Sequence, residues 1–181
     1  MEYSQLLKLL HDASLAELKT AKSKGLDFSI HDLSTDANLL ISYSTYGYTQ
    51  NYRSDEMIDF LLSCGLDINH KMNRRANGET ALHKAIATKN FEIARHLLER
   101  GAKVDLQDKN GNTPLFKAVM GYRANPGALE MIRSLRDKGA SWDTANFHGS
   151  SPRSVAEMIG GGIDAGHNDK SWDLRFLLAE D

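Results

Sequence analysis

Histidine and cysteine are the residues of this sequence whose chemistry could support metal binding or nucleophilic catalysis. The chain has seven histidines and a single cysteine, Cys64. Zinc sites use cysteine and histidine pairs at short spacings, such as two histidines four residues apart on a helix. The histidines stand at positions 11, 31, 70, 83, 96, 148 and 167, and no such pair occurs. The sequence therefore predicts no metal site, no cofactor and no catalytic role for Cys64.

A run of three glycines, Gly160 to Gly162, is the only other feature that suggests ligand chemistry. Glycine-rich loops cradle phosphates, but a P-loop needs G-x-x-x-x-G-K-[ST] after a strand. The pair Lys170-Ser171 lies eight residues beyond the run and does not complete that motif. A G-x-S-x-G nucleophile elbow is also missing from the sequence. We interpret the glycine run as a loop between helices, and we expect the chain not to be an enzyme.

Tyrosine and arginine point instead to binding. Four of the six tyrosines (Tyr43, Tyr46, Tyr48 and Tyr52) fall within ten residues, and Tyr122 is followed by Arg123. Both residue types concentrate interface energy, because each buries a large planar group and keeps a polar end. For Tyr48, Tyr52 and Tyr122 we favour contact with a partner. Tyr43 and Tyr46 could equally pack within a helical pair.

A basic segment runs from His70 to Ala76 and contains Lys71, Arg74 and Arg75. Residues 66–100 carry seven basic and four acidic side chains, a local charge of +3, whereas residues 1–65 carry five and nine, a local charge of −4. A basic turn between acidic flanks would suit an acidic patch on a partner protein and would steer its approach. A solvated turn with scattered charge explains the same residues equally well.

The elements that must position these side chains follow a repeating pattern. Asn77-Gly78 recurs 33 residues later as Asn110-Gly111, and a threonine follows two residues after each glycine. Asn-Gly favours a tight turn, and threonine caps a helix. Apolar residues at spacings of three and four then predict two short helices, with stripes at Leu82, Ala85 and Ile86 and at Phe91, Ile93, Ala94, Leu97 and Leu98. Such short helices must bury their faces on neighbouring repeats.

The 33-residue period and the opening Thr80-Ala81-Leu82-His83, which returns as Thr113-Pro114-Leu115-Phe116, resemble the ankyrin repeat. The resemblance implies an all-α solenoid of about five stacked ankyrin-type helix-turn-helix repeats with short β-hairpin-like turns. It also implies that His83 makes local hydrogen bonds. Glycines at positions 25, 65, 101 and 139 are expected to end the second helices with positive φ.

We expect a single ankyrin-repeat domain over residues 1–181, with repeats at approximately 1–32, 33–71, 72–108, 109–145 and 146–181. When Ser42 is aligned with Ala85, repeats two, four and five carry seven, five and nine extra residues between their two helices. Insertions at one position of a solenoid lie on one face, which is often a binding face.

The resemblance further implies that partners bind the turns and the exposed side of the first helices. Those positions and the tyrosine-rich loops together form the predicted partner-binding set. Its members are Tyr43, Tyr46, Tyr48, Tyr52, His70, Lys71, Asn73, Arg74, Arg75, Lys84, Lys109, Asn110, Tyr122, Arg123, Phe147 and His148.

Composition limits the classes of partner and the cellular compartment that the sequence favours. It is 41% apolar and 25% charged, with a net charge of −2, which is ordinary for a globular domain and disfavours nucleic acid as a partner. The sequence shows neither a membrane-helix pattern nor a signal-peptide pattern, and one cysteine fits a reducing compartment. We expect a cytoplasmic monomer that binds one protein and no membrane.

A short, divergent ankyrin chain with irregular insertions resembles the bacterial immunity proteins that neutralise polymorphic toxins. The predicted function is therefore that of a cytoplasmic immunity protein that binds and neutralises one toxin or effector domain. The alternative is an adaptor or scaffold module in signalling or host-effector biology.

Overall fold

The computed structural model describes residues 2–47, 53–122, 125–161 and 174–178. Over these ranges the chain forms ten α-helices and one short 3-10 turn, and no β-strand. The helices fall into two compact units, Met1–Lys103 and Val104–Asp181. The predicted all-α repeat fold is confirmed. No helix in the described ranges is long and apolar enough to cross a membrane.

The first unit contains six helices. They are α1 (Tyr3–Asp12), α2 (Leu15–Ser23), α3 (Leu39–Tyr46), α4 (Ser54–Ser63), α5 (Ala81–Ala87) and α6 (Phe91–Glu99), with the 3-10 turn at Arg74–Ala76. Helices α3 and α5 pack side by side as an inner row, α4 and α6 form an outer row, and α5 also packs on α6. The Tyr3 hydroxyl joins α1 to this stack by donating to the carbonyl oxygen of Asn38 at 2.9 Å.

The second unit contains four helices. They are α7 (Pro114–Met120), α8 (Pro126–Asp137), α9 (Pro152–Gly161) and α10 (Arg175–Leu178). Helix α7 packs on both α8 and α9, and α9 packs on α10. Trp142 lies in the core of this unit with 2% of its surface exposed, and Ile132 and Leu135 are fully buried.

Short side-chain caps fix where the first helix of a repeat begins. Thr80 caps α5 and Thr113 caps α7, each by accepting the backbone N–H three residues later. Pro114 occupies the first turn of α7, where a missing N–H costs nothing. Both threonine caps agree with the sequence prediction. Asn38 caps α3 in the same way, which the sequence prediction had not identified.

Left-handed glycines end the second helices, as predicted. Gly25, Gly65, Gly101 and Gly139 have φ values of 89°, 87°, 82° and 87°. Only glycine adopts this region without a steric penalty from Cβ. Each glycine therefore lets the chain leave the helix and start the next turn.

Backbone hydrogen bonds close the turns between repeats, which explains their hairpin-like form without a strand in the described ranges. Asp32, Met72, Asp108 and Asn146 each donate a backbone N–H across the turn to a carbonyl oxygen four to seven residues ahead, at 2.8 to 3.0 Å. We refer to residues 31–37, 70–79, 107–112 and 145–150 as the first, second, third and fourth turns.

The helix caps correct one alignment made from the sequence. Because Asn38 is equivalent to Thr80, the residue that matches Ala85 is Tyr43 rather than Ser42. Tyr43 is fully buried and faces the packed α3–α5 row. The insertion of the second repeat is accordingly one residue shorter than the sequence alignment gave.

Candidate protein-binding surface

The first turn is built around one carboxylate. Asp32 Oδ1 accepts hydrogen bonds from the backbone N–H of Ser34 at 3.0 Å and of Thr35 at 2.8 Å, and from both of their hydroxyls. These hydrogen bonds lower the pKa of Asp32 to about 2. The largest contribution comes from the Ser34 hydroxyl, followed by the backbone N–H and hydroxyl of Thr35. The ionised carboxylate thus holds the turn in one shape.

The second turn is anchored to the first by Asn73. Its backbone N–H donates to the carbonyl oxygen of Thr35 at 2.9 Å, and its side-chain amide donates to that of Ser34 at 2.7 Å. The side-chain oxygen of Asn73 also accepts the backbone N–H of Ala76 at 3.0 Å, which starts the 3-10 turn. Asn73, predicted to contact a partner, therefore supports the turn from within.

His70 makes a second link between these turns. Its Nε2 lies 2.6 Å from the carbonyl oxygen of Asp36 and 3.6 Å from that residue's Oδ2. His31 approaches the same carboxylate, with Nδ1 2.9 Å from Oδ1. The two imidazole rings are 4.4 Å apart between centroids. Asp36 itself has a φ of 58°, a left-handed conformation that is uncommon outside glycine.

The tip of the second turn, which follows these two anchors, is exposed. Arg74 and Arg75 are exposed, and no carboxylate within the described ranges forms an ion pair with either. Lys71 is exposed at the start of the same turn. Leu33, at the tip of the first turn, is completely exposed. The neighbouring turns therefore present an apolar side chain and a group of cations on a rigid backbone.

Lys84 is less available than Arg74 and Arg75. Its Nζ lies 3.2 Å from Oε2 of Glu79, whose side chain is only 5% exposed. A buried carboxylate needs such a partner, so Lys84 serves mainly to neutralise Glu79. His83, next to it, is fully buried and pairs its Nδ1 with the Thr80 hydroxyl at 2.8 Å. The local hydrogen-bonding role predicted for His83 is confirmed.

The predicted tyrosine surface is only partly realised. Tyr43 and Tyr122 are 0% and 4% exposed, so both belong to the core and their assignment to a partner surface was wrong. Tyr46 is 62% exposed at the end of α3 and remains a candidate. Tyr48, Tyr52 and Arg123 lie outside the described residues.

The turns of the second unit expose four of the predicted residues. Lys109, Asn110 and His148 are exposed, and Phe147 is 65% exposed. The backbone N–H of Phe147 donates to the carbonyl oxygen of Asn110 at 2.9 Å, which fixes the fourth turn against the third. Met120, on α7 in this unit, is 54% exposed.

One surface residue, Leu33, was missed as a contact candidate, although it carries a recognisable signal. Leu33 stands between Asp32 and Ser34 in a turn, where an apolar side chain has no core to fill. An exposed apolar residue at a turn tip is therefore informative. No sequence pattern pairs His31 with His70, since they are 39 residues apart and meet only through the stacking of two turns.

Stacked pairs of short antiparallel helices, joined by turns that project from one end, define a helical repeat protein. A family model described as "Ankyrin repeats (3 copies)" matches residues 47–146. The chain belongs to the ankyrin-repeat family. Members of this family are characteristically protein-interaction modules, so binding to another protein is the general role that the fold supports.

Three proteins with similar segments illustrate the extent of the match. Potassium channel AKT1 of Oryza sativa subsp. indica is 42% identical over 86 residues, which is 48% of this chain and 9% of the channel. Neurogenic locus Notch protein of Drosophila melanogaster is 36% identical over 104 residues, or 58% of this chain and 4% of Notch. NF-kappa-B inhibitor alpha of Sus scrofa is 35% identical over 83 residues, or 45% of this chain and 26% of the inhibitor. The chain thus spans only a small part of each relative.

Proposed function

We propose that this chain binds one protein partner through the first two turns of its first unit. The observation that carries the proposal is the pair Arg74 and Arg75, exposed and without an ion-pair partner in the described ranges, on a turn that Asn73 fixes in place. A rigid display of cations loses little conformational entropy on binding. An acidic patch on the partner would pair with these two arginines.

Leu33 supplies the apolar part of this surface. It is fully exposed in the turn to which Asn73 is hydrogen-bonded. Binding sites combine a desolvated apolar contact with a charged rim. Tyr46, exposed at the end of α3, adds an aromatic side chain to the same unit.

The proposed activity is inhibition of the bound partner, as in an immunity protein that neutralises a toxin or effector domain. Irregular insertions between the helices support a surface shaped to one rigid target. The protein would act in the cytoplasm as a monomer, without catalysis, a membrane contact or a nucleic acid. One of the similar proteins is itself named an inhibitor.

An adaptor role is the second candidate, and a different observation favours it. The matching segment is 9% of the rice potassium channel and 4% of Drosophila Notch, so in those proteins it is a small part of a longer chain. A module of this kind would tether its partner without inhibiting it.

Affinity capture followed by an activity assay separates these roles. The wild-type chain and the Arg74→Glu/Arg75→Glu variant are used as parallel baits, and proteins enriched only by the wild type are purified. Loss of the captured protein's activity at a 1:1 ratio supports inhibition, whereas binding with full activity supports an adaptor. Equal capture by both baits would contradict the proposed surface.

A further inference from the structure

His31, Asp36 and His70 form a compact group at the junction of the first and second turns. Their potential ligand atoms all lie within 4.8 Å of one another. Two histidines come from different repeats, and the carboxylate lies between them. The group is not used by the proposed partner surface, which rests on the turn tips.

We propose that this group is a binding site for a zinc-type divalent transition ion. Nδ1 of His31 is 2.9 Å from Oδ1 of Asp36, and Nε2 of His70 is 3.6 Å from Oδ2. Tetrahedral zinc with ligand bonds near 2.1 Å places its ligand atoms about 3.4 Å apart. The two measured separations lie on either side of that value, so small side-chain rotations would bring the atoms to a common centre.

The backbone around the group is already fixed. Asp36 donates its N–H to the carbonyl oxygen of Asp32 at 2.8 Å, and His70 donates its own to that of Asp67 at 3.1 Å. Asp36 keeps a left-handed φ of 58°, which directs its side chain between the two imidazoles. Preorganised ligands lower the cost of ordering a metal site.

The donor set selects the class of ion. Two imidazoles and one carboxylate suit Zn²⁺, Co²⁺ or Ni²⁺, whereas Ca²⁺ and Mg²⁺ prefer sites built from oxygen atoms alone. The side chains of His31, Asp36 and His70 are 37%, 48% and 20% exposed, so an ion can enter from solvent. Three protein ligands leave a fourth position for water or for a donor from another molecule.

Metal binding would replace an existing contact. Nε2 of His70 and the carbonyl oxygen of Asp36 are 2.6 Å apart, and a hydrogen bond between them requires the proton on Nε2. Coordination uses the lone pair of that nitrogen, so the proton moves to Nδ1 and this hydrogen bond is lost. The bound ion would then join the two turns in its place.

The test is calorimetric titration of the full chain with Zn²⁺ alone, after removal of metal by a chelator. We expect one ion per chain and a higher melting temperature with zinc. His31→Ala, Asp36→Asn and His70→Ala should each weaken binding by about tenfold or more. His11→Ala is the matched control, because His11 also lies 2.7 Å from an aspartate, but that exposed pair belongs to no group of three possible ligands among the described residues.

Circular dichroism of each metal-free variant checks that it is folded. His31→Ala and Asp36→Asn leave the hydrogen bond of His70 to the Asp36 carbonyl in place, so they report on the ion even if His70→Ala loosens the turn. A wild-type chain that binds no zinc, or that binds it as tightly as folded His31→Ala and Asp36→Asn, would overturn the proposal.

Discussion

The side-chain amide of Asn73 donates a 2.7 Å hydrogen bond to the carbonyl oxygen of Ser34, 39 residues earlier in the chain. This bond joins the basic second turn to the first turn, and the exposed arginines follow it directly. A residue that looks like a surface contact in the sequence is thus a support for its neighbours. The separation of supporting from contacting residues is the basis of the predictions that follow.

Replacing Asn73 with alanine should loosen the second turn. The variant loses the bond to Ser34 and the cap on Ala76, so we expect unfolding in urea to show a loss of about 1 kcal/mol. Affinity for the partner should also fall, because the arginines lose their fixed position. For the stability measurement, Asn110→Ala, on an exposed asparagine of the third turn, is the control. Equal stability of the Asn73→Ala and wild-type chains would show that the bond contributes nothing.

A matched pair of leucines tests the core of the first unit against its surface. Leu97 is fully buried, so Leu97→Ala should lower the unfolding free energy by about 2–5 kcal/mol. Leu33 is fully exposed, so Leu33→Ala should change it by less than about 0.5 kcal/mol. Chemical denaturation measures both variants. A large loss of stability in Leu33→Ala would place that side chain in a packed environment instead.

Gly25 and Gly111 have similar positive φ values, so alanine substitutions at the two positions separate the cost of backbone strain from that of a steric clash. Gly25 has a φ of 89° and no atom within 4 Å of an added Cβ, whereas Gly111 has a φ of 81° and the backbone nitrogen of Phe147 at 2.6 Å. Gly25→Ala should cost about 1 kcal/mol from left-handed strain alone. Gly111→Ala should cost at least about 1 kcal/mol more, because the fourth turn must move. Equal losses in the two variants would contradict this close approach.

The free energy of unfolding should fall at acid pH because of Asp32 in the first turn. Asp32 has a pKa lowered to about 2, whereas an unfolded aspartate titrates near 3.9. A lowered folded pKa means that the carboxylate stabilises the protein above about pH 4 and loses this effect as the pH falls toward 2. Unfolding free energies measured from pH 6 to pH 2 should therefore decline less steeply for Asp32→Asn. Identical slopes would show that the hydrogen bonds to Asp32 do not stabilise the turn.

The repeat unit could be predicted from the sequence because its signals are local. Thr80 caps the helix that follows within three residues, and Gly101 ends its helix through its own φ. His83 pairs with Thr80 inside a single helical turn. Such contacts depend on spacing alone, and the structure confirms each of them.

The exposed residues could be predicted less well, because the exposure of a side chain depends on how neighbouring repeats pack together. Tyr43 occupies a position where another repeat has alanine, and its burial follows from the packing of α3 on α5. His31 and His70 are brought together only when two turns stack. The polar neighbours of Leu33 mark it as unusual in the sequence, but only the shape of the turn shows that its side chain is fully exposed.

The central claim is that exposed cations on the second turn hold an acidic protein partner. The most direct test is to measure the affinity of the captured partner for the wild-type chain and for the Arg74→Glu/Arg75→Glu variant by titration. Both arginines are exposed, so the double variant should keep the wild-type melting temperature while its affinity falls at least about tenfold. Lys19→Glu/Arg95→Glu makes the same charge change at exposed helix positions and should bind as the wild type does. Unchanged affinity in the Arg74→Glu/Arg75→Glu chain would contradict the account.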